Sequence, residues 1–417
     1  LTENEVLSLI VGQLVAYGYS AVAQNVANAT GSSSDLMPSS KLVELLQLAK
    51  EKLEEGDSDE EFSTKSGDHD NDGMDDANSN TPFQSTLDAD SMATAHTKEP
   101  KTAPEFAQTY FTQHKGSCRI ASFSYDGRFA ATGSHDTSLK LLDVNKMQNR
   151  TGDSGDKPVV RTLYDHTDTV NDLSFHPNGI VLASCSDDQS IKLFDLSKSG
   201  VKRAFRYLQD ASPVNSISFH PSGDFLLAGT EDSAIRIYDV RTLQCFTNSN
   251  NANVHQGSIS QIRYSKTGKI FASSSLDGSV RVWDSVSSQC IKVLDRAHGG
   301  AAVSSVRISK NEKYVLTAGL DSSMKLWDIS TGGVIMEYKG HENRSTVLQP
   351  AFSHDEGFVM IGDEASTDVF CWDTQTGALV KRISGHNGVV RCVSASPNDY
   401  GIITCSEDFR ARYYSAF

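Results

Sequence analysis

Polar and apolar residues alternate in short stretches that recur along most of the chain. The clearest is DGSVRVWD at 277–284, where an Asp-Gly turn leads into Val280, Val282 and Trp283, with Arg281 between the two valines. Alternation of this kind after a turn is typical of a half-buried β-strand. The turn Asp recurs at Asp136, Asp188, Asp232, Asp277, Asp321 and Asp408. A large apolar or aromatic residue follows each of them six residues later.

Trp372 marks one further copy, in which the turn GDEAST lacks the aligned Asp. From the second copy onward the aligned positions lie 42 to 45 residues apart. That interval matches the WD repeat, which contributes one four-stranded blade to a β-propeller. The sequence therefore predicts a mainly β fold in which seven blades close into a ring.

Two further residue types keep the phase of the repeat. A His stands 22 or 23 residues before the turn Asp, and a Ser or Thr stands four residues before it. With the phased Trp, they match the hydrogen-bonded tetrad that joins the strands of a WD blade. We expect such structural tetrads at His166, Ser184 and Asp188; at His255, Ser273, Asp277 and Trp283; and at His298, Thr317, Asp321 and Trp327. The third copy has Asp210 and Ala228 at the His and hydroxyl positions.

The last copy ends too early to contain its own outer strand. Phe417 follows Tyr414 by only three residues, whereas TYFTQ, at 109–113, stands just before the first phased histidine, His114. We expect this N-terminal strand to complete the last blade, because closure by the two ends removes exposed strand edges. The propeller is accordingly predicted to span residues 107–417.

The first 53 residues show helical rather than strand periodicity. Thr2 and Glu5 fit a capping box, and Leu7, Ile10, Leu14 and Tyr17 follow at spacings of three and four. About 50 residues form a marginal core on their own. We therefore predict a small helical domain at 1–53 that forms a homodimer, with docking of these helices onto the rest of the chain as the alternative.

Residues 54–106 form an acidic segment of low apolar content, and a disordered linker is predicted there. Thirteen acidic residues and one basic residue, Lys65, lie between Glu54 and Asp90, so this stretch carries most of the net charge of −15. DHDNDGMDDANS, at 68–79, begins like an EF-hand loop, but Ser79 replaces the bidentate Glu. We expect no calcium site there.

The remaining chemistry in the sequence gives no reason to expect an enzyme, a cofactor or a metal site. Ser, His and Asp recur together, but each hydroxyl is predicted to lie on a buried strand, where a substrate could not reach it. The seven cysteines include no CxxC pair, and no phosphate-binding GxxxxGK[ST] loop occurs. No apolar stretch is long enough for a membrane span, and the opening residues lack the pattern of a signal peptide.

Basic residues outside the phase of the repeat are the candidates for contact with a partner or with RNA. They are Lys115, Arg119, Lys202, Arg203, Arg206, Arg391 and Arg410. In KRAFRY, at 202–207, arginine and aromatic side chains interleave as single-stranded RNA contacts require. A solvated outer strand accounts for the same pattern, so both interpretations stay open.

Longer stretches resemble a specific family. VLSLIVGQLVAYGYSAVA near the start, VVRTLYDHTDTVNDLSFHP, KRAFRYLQ, RAHGGAAVSSVRISKNEKYVLTAG and CSEDFRARYYS are similar to the WD-repeat subunit of the cleavage stimulation factor. The resemblance implies a nuclear, non-enzymatic scaffold subunit of pre-mRNA 3′-end cleavage and polyadenylation. The start also resembles a LisH-type motif, which implies dimerisation through Leu7, Ile10, Leu14, Tyr17 and Tyr19.

The same resemblance implies partners. The propeller would bind the helical-repeat scaffold subunit of the factor and assist its RRM subunit, with GU-rich pre-mRNA reached through the complex. The alternative is a LisH and WD-repeat adaptor of a ubiquitin ligase or a chromatin complex, whose propeller docks peptides.

Overall fold

A computed structural model describes residues 100–149, 157–198, 200–247 and 254–416. The chain divides into two compact units, Leu1–Asn80 and Thr81–Phe417, and every described residue belongs to the second. The predicted dimerisation residues Leu7, Ile10, Leu14, Tyr17 and Tyr19 lie outside the described residues, as does the acidic segment up to residue 99.

Seven antiparallel four-stranded sheets make up the described residues, and the predicted seven-bladed β-propeller is confirmed. In six of the blades the strands follow one another along the chain from the innermost to the outermost position, and the innermost strands of neighbouring blades pack against each other. Blade 1 contains β2 Cys118–Phe123, β3 Phe129–Ser134, β4 Ser138–Asp143 and β5 Val159–Tyr164. Blade 2 contains β6 Val170–Phe175, β7 Val181–Ser186, β8 Ser190–Asp195 and β9 Arg206–Gln209.

The next three blades repeat this order. Blade 3 contains β10 Val214–Phe219, β11 Phe225–Thr230, β12 Ile235–Asp239 and β13 Cys245–Thr247. Blade 4 contains β14 Ile259–Tyr264, β15 Ile270–Ser275, β16 Val280–Asp284 and β17 Cys290–Leu294. Blade 5 contains β18 Val303–Ile308, β19 Tyr314–Gly319, β20 Ser323–Asp328 and β21 Val334–Lys339.

Blade 6 has a very short innermost strand, and blade 7 is completed from the other end of the chain. Blade 6 contains β22 Ala351–Phe352, β23 Phe358–Gly362, β24 Val369–Asp373 and β25 Leu379–Ile383. Blade 7 contains β26 Val390–Ala395, β27 Ile402–Ser406, β28 Arg410–Ala416 and, as its outermost strand, β1 Phe106–Gln113. Strand β1 pairs with β28 from Phe106 opposite Ala416 to Gln113 opposite Arg410, so the predicted ring closure is confirmed.

One short helix lies in the connection between the last two strands of blade 1. Helix α1, Val144–Gln148, begins at Asp143, whose side chain accepts a hydrogen bond from the backbone N–H of Lys146 at 3.1 Å. Val144 and Met147 are its buried residues. The side chain of Gln148 donates to Tyr413 Oη at 2.8 Å, so the helix also ties blade 1 to blade 7.

The core lies between adjacent blades rather than in one central mass. One apolar cluster joins residues of blades 2 and 3, such as Leu193 and Phe219, and another joins blades 4 and 5 through Val282 and Val315. Because each blade covers its neighbours, the central channel can be lined by polar side chains without loss of the core.

The two faces of the propeller are defined by the connections of its strands. On one face, the loop that precedes each innermost strand meets the turn between the second and third strands; we call it the tetrad face, since the phased His and Asp lie there. The opposite face carries the turns between the first and second strands and the loops that lead to the outermost strands.

The turn on the tetrad face explains the position of Asp-Gly. The residue after the turn Asp has a positive φ in each of the six regular blades, for example 83° at Gly278 and 67° at Phe409. Asp277 holds this turn by accepting from the backbone N–H of Ser279 at 2.8 Å. Only blade 4 places glycine at the left-handed position, where it adopts this conformation most easily.

Candidate functional site

The phased residues of blades 4 and 5 come together as continuous chains of hydrogen bonds. In blade 5, His298 Nδ1 lies 2.9 Å from Asp321 and its Nε2 lies 2.8 Å from Thr317 Oγ1, which also accepts from the Trp327 indole N–H at 2.9 Å. In blade 4 the corresponding distances, among His255, Asp277, Ser273 and Trp283, are 3.2, 2.7 and 2.9 Å. One tautomer satisfies every member: Nδ1–H donates to the carboxylate, and Nε2 accepts from the hydroxyl.

Blades 2 and 7 contain the same chain without the tryptophan, and blade 1 contains a variant of it. In blade 2, His166 lies 2.8 Å from Asp188 and 2.6 Å from Ser184. In blade 7, His386 lies 3.0 Å from Asp408 and 2.7 Å from Thr404. In blade 1, His114 Nε2 lies 2.9 Å from Thr132, whereas Nδ1 contacts Ser138 at 3.0 Å and lies 3.6 Å from Asp136.

Electrostatics stabilise the ionised turn Asp. Burial raises the pKa of Asp321, but the hydrogen bond from His298 and the bonds from Ser323 more than offset it and lower that pKa to about 2. The hydroxyls of Ser184, Ser273 and Thr317 belong to fully buried residues. A nucleophilic hydroxyl has to be accessible to its substrate, and these hydroxyls are instead enclosed and hydrogen-bonded within the blade.

Blade 3 replaces the missing histidine with a different network. Asp210, at the His position, accepts a 2.6 Å hydrogen bond from the hydroxyl of Tyr238, at the Trp position. Arg236 lies 3.2 Å from Asp210 and 2.8 Å from the turn Asp, Asp232. Each of these residues stands at a position that is in phase with the repeat. Because the usual His and hydroxyl are missing, the sequence did not indicate that these residues pair with one another.

Blade 6 keeps the histidine and the tryptophan but lacks their hydroxyl partner. Ile361 pairs with Phe370 at the register position where Thr317 pairs with Lys325 in blade 5. His341 is 2% exposed, packs edge-on against Trp372 at 5.5 Å, and has no hydrogen-bond partner among the described residues at either ring nitrogen. Burial is the main cause that lowers its pKa to about 4.

Two carboxylates that the sequence reasoning missed hold the irregular turn of blade 6. Asp363 accepts from the backbone N–H of Glu342 at 2.5 Å, as the regular turn Asp does for the residue after its histidine. The neighbouring Glu364 accepts from the backbone N–H groups of Arg344 at 2.9 Å and Thr346 at 2.5 Å. The only sequence signal for them was the acidic pair itself, which stands ahead of the position expected for the turn Asp.

A β-bulge lies near the start of each innermost strand except the short β22, and five of the six bulged residues line the cavity at the tetrad-face mouth. The register shifts by one residue there, so the bulged residue has no partner opposite it. These residues are Arg119, Asn171, Asn215, Ser260, Ser304 and Arg391. The four uncharged ones each donate to a backbone carbonyl of the next blade: Val214, Ile259, Val303 and Leu348. They form a polar ring at the mouth on the tetrad face.

The two charged members of this ring are predicted contact residues, and they are neighbours. Arg391 pairs with Glu407 at 2.7 Å, whereas the side chain of Arg119 makes no hydrogen bond or ion pair with another described residue. Burial, followed by the charge of Arg391, lowers the pKa of Arg119. Both line a cavity of about 260 Å³ together with Gln349 and Asn215.

The remaining predicted contact residues divide between the two faces. Lys115 is exposed beside Asp136, and Arg410 lies over the Phe111 ring at 5.2 Å; both belong to the tetrad face at the junction of blades 7 and 1. Lys202, Arg203 and Arg206 lie instead at the outer rim of blade 2, where the carbonyl of Lys202 accepts a hydrogen bond from the backbone N–H of Tyr164 in blade 1. The structure therefore places the seven cations on two surfaces.

The rim surface, residues 201–207 with Tyr164, combines unpaired cations with exposed aromatic rings. Lys202 and Arg203 are exposed, with no carboxylate partner in the described parts of the chain. Arg206 donates to the carbonyls of Val240 and Arg241 in blade 3 at 3.3 and 3.2 Å. Tyr207 is 67% exposed, and Phe205 is 47% exposed.

Within the described ranges, no group of three or more His, Cys, Asp or Glu side chains is arranged to hold a metal ion. The seven cysteines are free thiols. None of the described helices is long and apolar enough to cross a membrane.

Comparison with known families matches both parts of the sequence. The family described as "WD domain, G-beta repeat" matches residues 105–143, 157–195, 205–239, 247–284, 288–328 and 377–415. The stretch that it omits contains most of blade 6. The family described as "Cleavage stimulation factor subunit 1, dimerisation domain" matches residues 4–54.

Individual proteins are also similar to this chain. "Cleavage stimulation factor subunit 50" of Arabidopsis thaliana is 39% identical over 339 residues, which cover 80% of this chain and 78% of the relative. "Nuclear distribution protein nudF" of Aspergillus niger is 26% identical over 73% of this chain and 60% of its own length. The β-propeller domain of Myceliophteria thermophila Cps50 (Swd1) superposes with a TM-score of 0.63 at 17% identity, covering 75% of this chain and all of that domain, which shows a shared fold.

Proposed function

Because the chain belongs to the family of cleavage stimulation factor subunit 50, we propose that it is a scaffold subunit of that factor in pre-mRNA 3′-end cleavage and polyadenylation. In this role it acts in the nucleus and forms a homodimer through residues 1–53. Its propeller binds the helical-repeat scaffold subunit and assists the RRM subunit, and GU-rich pre-mRNA is reached through the complex.

One observation carries this proposal: the two matched parts occur together in one chain. WD repeats alone identify a fold that serves many functions. A cleavage-factor dimerisation domain at residues 4–54, followed by 39% identity to subunit 50 over most of the chain, is far more specific. Two linked copies would bind a partner or RNA more tightly through effective concentration.

A non-enzymatic role is part of the proposal. Its support is that the phased hydroxyls and histidines are buried and that their hydrogen bonds are made to one another and to the turn Asp, so they join the strands of a blade. Binding surfaces then remain as the means by which the chain acts.

Within this role, we assign RNA contact to the rim surface and partner docking to the tetrad face. The rim surface has cations without carboxylate partners beside exposed Phe205 and Tyr207, which suits a charged backbone and stacked bases. On the tetrad face Arg391 is paired with Glu407, and Asp187 and Glu231 line the same mouth, which disfavours a polyanion.

The proposal is tested by purifying the tagged chain from nuclear extract and identifying the proteins recovered in near-equal amounts. We expect the helical-repeat and RRM subunits of the cleavage factor. Recovery of ubiquitin-ligase or chromatin-complex subunits in their place would favour the LisH and WD-repeat adaptor and reject the scaffold role.

The RNA assignment has a separate test with matched charge. Lys202→Gln, Arg203→Gln and Arg206→Gln together remove three cations from the rim surface. Lys115→Gln, Arg119→Gln and Arg410→Gln remove three from the tetrad face. We expect only the first set to weaken crosslinking to GU-rich RNA within the complex and to reduce the salt dependence of binding. Equal losses in both sets, or no loss in either, would contradict the assignment.

A further inference from the structure

The channel mouth on the opposite face contains a group of charged residues that the tetrads do not involve. A cavity of about 560 Å³ is lined by the ends of the innermost strands and by the turns that follow them. Its charged side chains are Asp172, Arg263, Lys266, Arg307, Lys310 and Glu356. Four of these six are cations.

One of the cations is paired with a carboxylate inside the channel. Arg263 of blade 4 makes a two-pronged contact with Asp172 of blade 2, at 2.6 and 3.0 Å. Asp172 is completely buried, and it also accepts from Ser216 Oγ of blade 3 at 2.6 Å. This network joins three blades and leaves the Asp172 carboxylate no capacity for another cation.

Arg307 of blade 5 has no carboxylate partner of this kind among the described residues. Its guanidinium donates to the neutral side-chain oxygens of Gln261 at 2.6 Å and Gln349 at 3.3 Å, and to its neighbour's carbonyl. Among the described residues, no carboxylate lies within ion-pair distance of it. Burial and the nearby charge of Arg263 lower its pKa, yet a guanidinium remains protonated at neutral pH.

The net charge of the side chains that line this mouth is therefore positive. Glu356 is buried and accepts from the backbone N–H of Lys310 at 2.6 Å, so its charge is directed at that turn. Lys266 is exposed at the rim of the cavity. With Asp172 assigned to Arg263 and Glu356 to Lys310, the charges of Arg307 and Lys266 remain uncompensated.

We propose that this mouth binds an anionic side chain of a polypeptide partner, whose carboxylate or phosphate pairs with Arg307 inside the channel and with Lys266 at its rim. An ionised oxyanion compensates a partly buried guanidinium better than neutral amide oxygens do. The site is distinct from the tetrad face and from the rim surface, and it does not depend on the cleavage-factor role.

Depth within the channel favours a polypeptide over RNA. Arg307 reaches Gln261, which has no exposed surface, so the guanidinium lies inside the channel and not at the level of the turns. The tip of one side chain can enter to that depth. A phosphate within a continuous strand would have to bring its two flanking nucleosides into the channel as well.

The test uses the full chain and a fluorescent hexaglutamate peptide as the probe, with binding followed by anisotropy at low salt. We expect Arg307→Gln to weaken binding at least tenfold and Lys266→Gln to weaken it about threefold. Lys269→Gln is the matched control, because Lys269 is exposed on the same turn but does not line the cavity. It should leave affinity within twofold. Thermal melting checks that each variant is folded.

Three results would overturn the proposal. Wild-type protein that does not bind the peptide has no such site. Equal effects of Lys266→Gln and Lys269→Gln would mean that only the overall charge of the turn matters. A hexauridylate that binds more tightly than the peptide, and that loses affinity in Arg307→Gln, would assign the mouth to nucleic acid.

Discussion

Replacing Thr317 with valine measures what one tetrad contributes to the stability of the propeller. Valine has nearly the shape of threonine, so the substitution removes the hydroxyl and leaves the packing of β19 intact. Thr317 Oγ1 bonds His298 at 2.8 Å and Trp327 at 2.9 Å. Both partners are buried, and no other described atom takes the place of the hydroxyl.

The expected cost follows from these two orphaned groups. A buried donor or acceptor left without a partner costs about 1–3 kcal/mol, so the substitution should lower the free energy of unfolding by about 3 kcal/mol. With an unfolding entropy of about 2.1 cal/mol/K per residue over about 300 residues, that loss lowers Tm by about 5 °C.

Differential scanning calorimetry of the full chain is the assay, and Thr374→Val is the control. Thr374 is also fully buried, but its hydroxyl has no hydrogen-bond partner among the described residues. Its replacement should leave Tm unchanged or raise it slightly. Equal Tm values for Thr317→Val and wild type would refute the argument that the tetrad hydrogen bonds stabilise the blade.

His341→Leu should become more stable than wild type as pH falls from 6.5 toward 4. Below pH 6.5 the unfolded chain binds a proton at this histidine, whereas folded His341, with its pKa near 4, stays neutral, so the free energy of unfolding of wild type falls by about 2 kcal/mol by pH 5. Measuring Tm against pH for both proteins tests this. Tyr238→Phe should cost about 2 kcal/mol because Asp210 loses a buried hydrogen bond, whereas Tyr207→Phe at an exposed site should be neutral; parallel melts that agree would contradict it. Leu14→Glu should convert a dimeric full chain into a monomer by light scattering, and monomeric wild type at micromolar concentration would reject the dimer.

The repeat pattern predicted the fold because a WD blade is a local unit. The turn Asp, the hydroxyl four residues earlier and the preceding His lie within about 25 residues of each other, so their phase in the sequence reports their contact in space. The closing strand β1 was also predictable, since the last copy visibly lacked sequence for an outer strand.

Contacts between blades were not predictable in the same way. Asp172 and Arg263 are separated by 91 positions and belong to blades 2 and 4, and no phase relation links them. The only signal was a charged residue on a strand whose other members are mostly apolar. The bulges that place Arg119 and Arg391 in one ring likewise depend on strand register, which residue types alone do not reveal.

The irregular blade bears on where binding specificity should be sought. A loss of the tetrad hydroxyl at Ile361 should cost a few kcal/mol, yet Asp363 and Glu364 rebuild the turn around the backbone of residues 342–346. The segment that they hold continues into Val347 and Gln349, which line the tetrad-face cavity with Arg119 and Arg391. Residues that recur from blade to blade are explained by blade stability, so they cannot distinguish one partner from another. Residues that depart from the repeat and still receive dedicated hydrogen bonds are the ones whose positions need a reason beyond stability, and the proposed docking of a partner at this mouth would supply one.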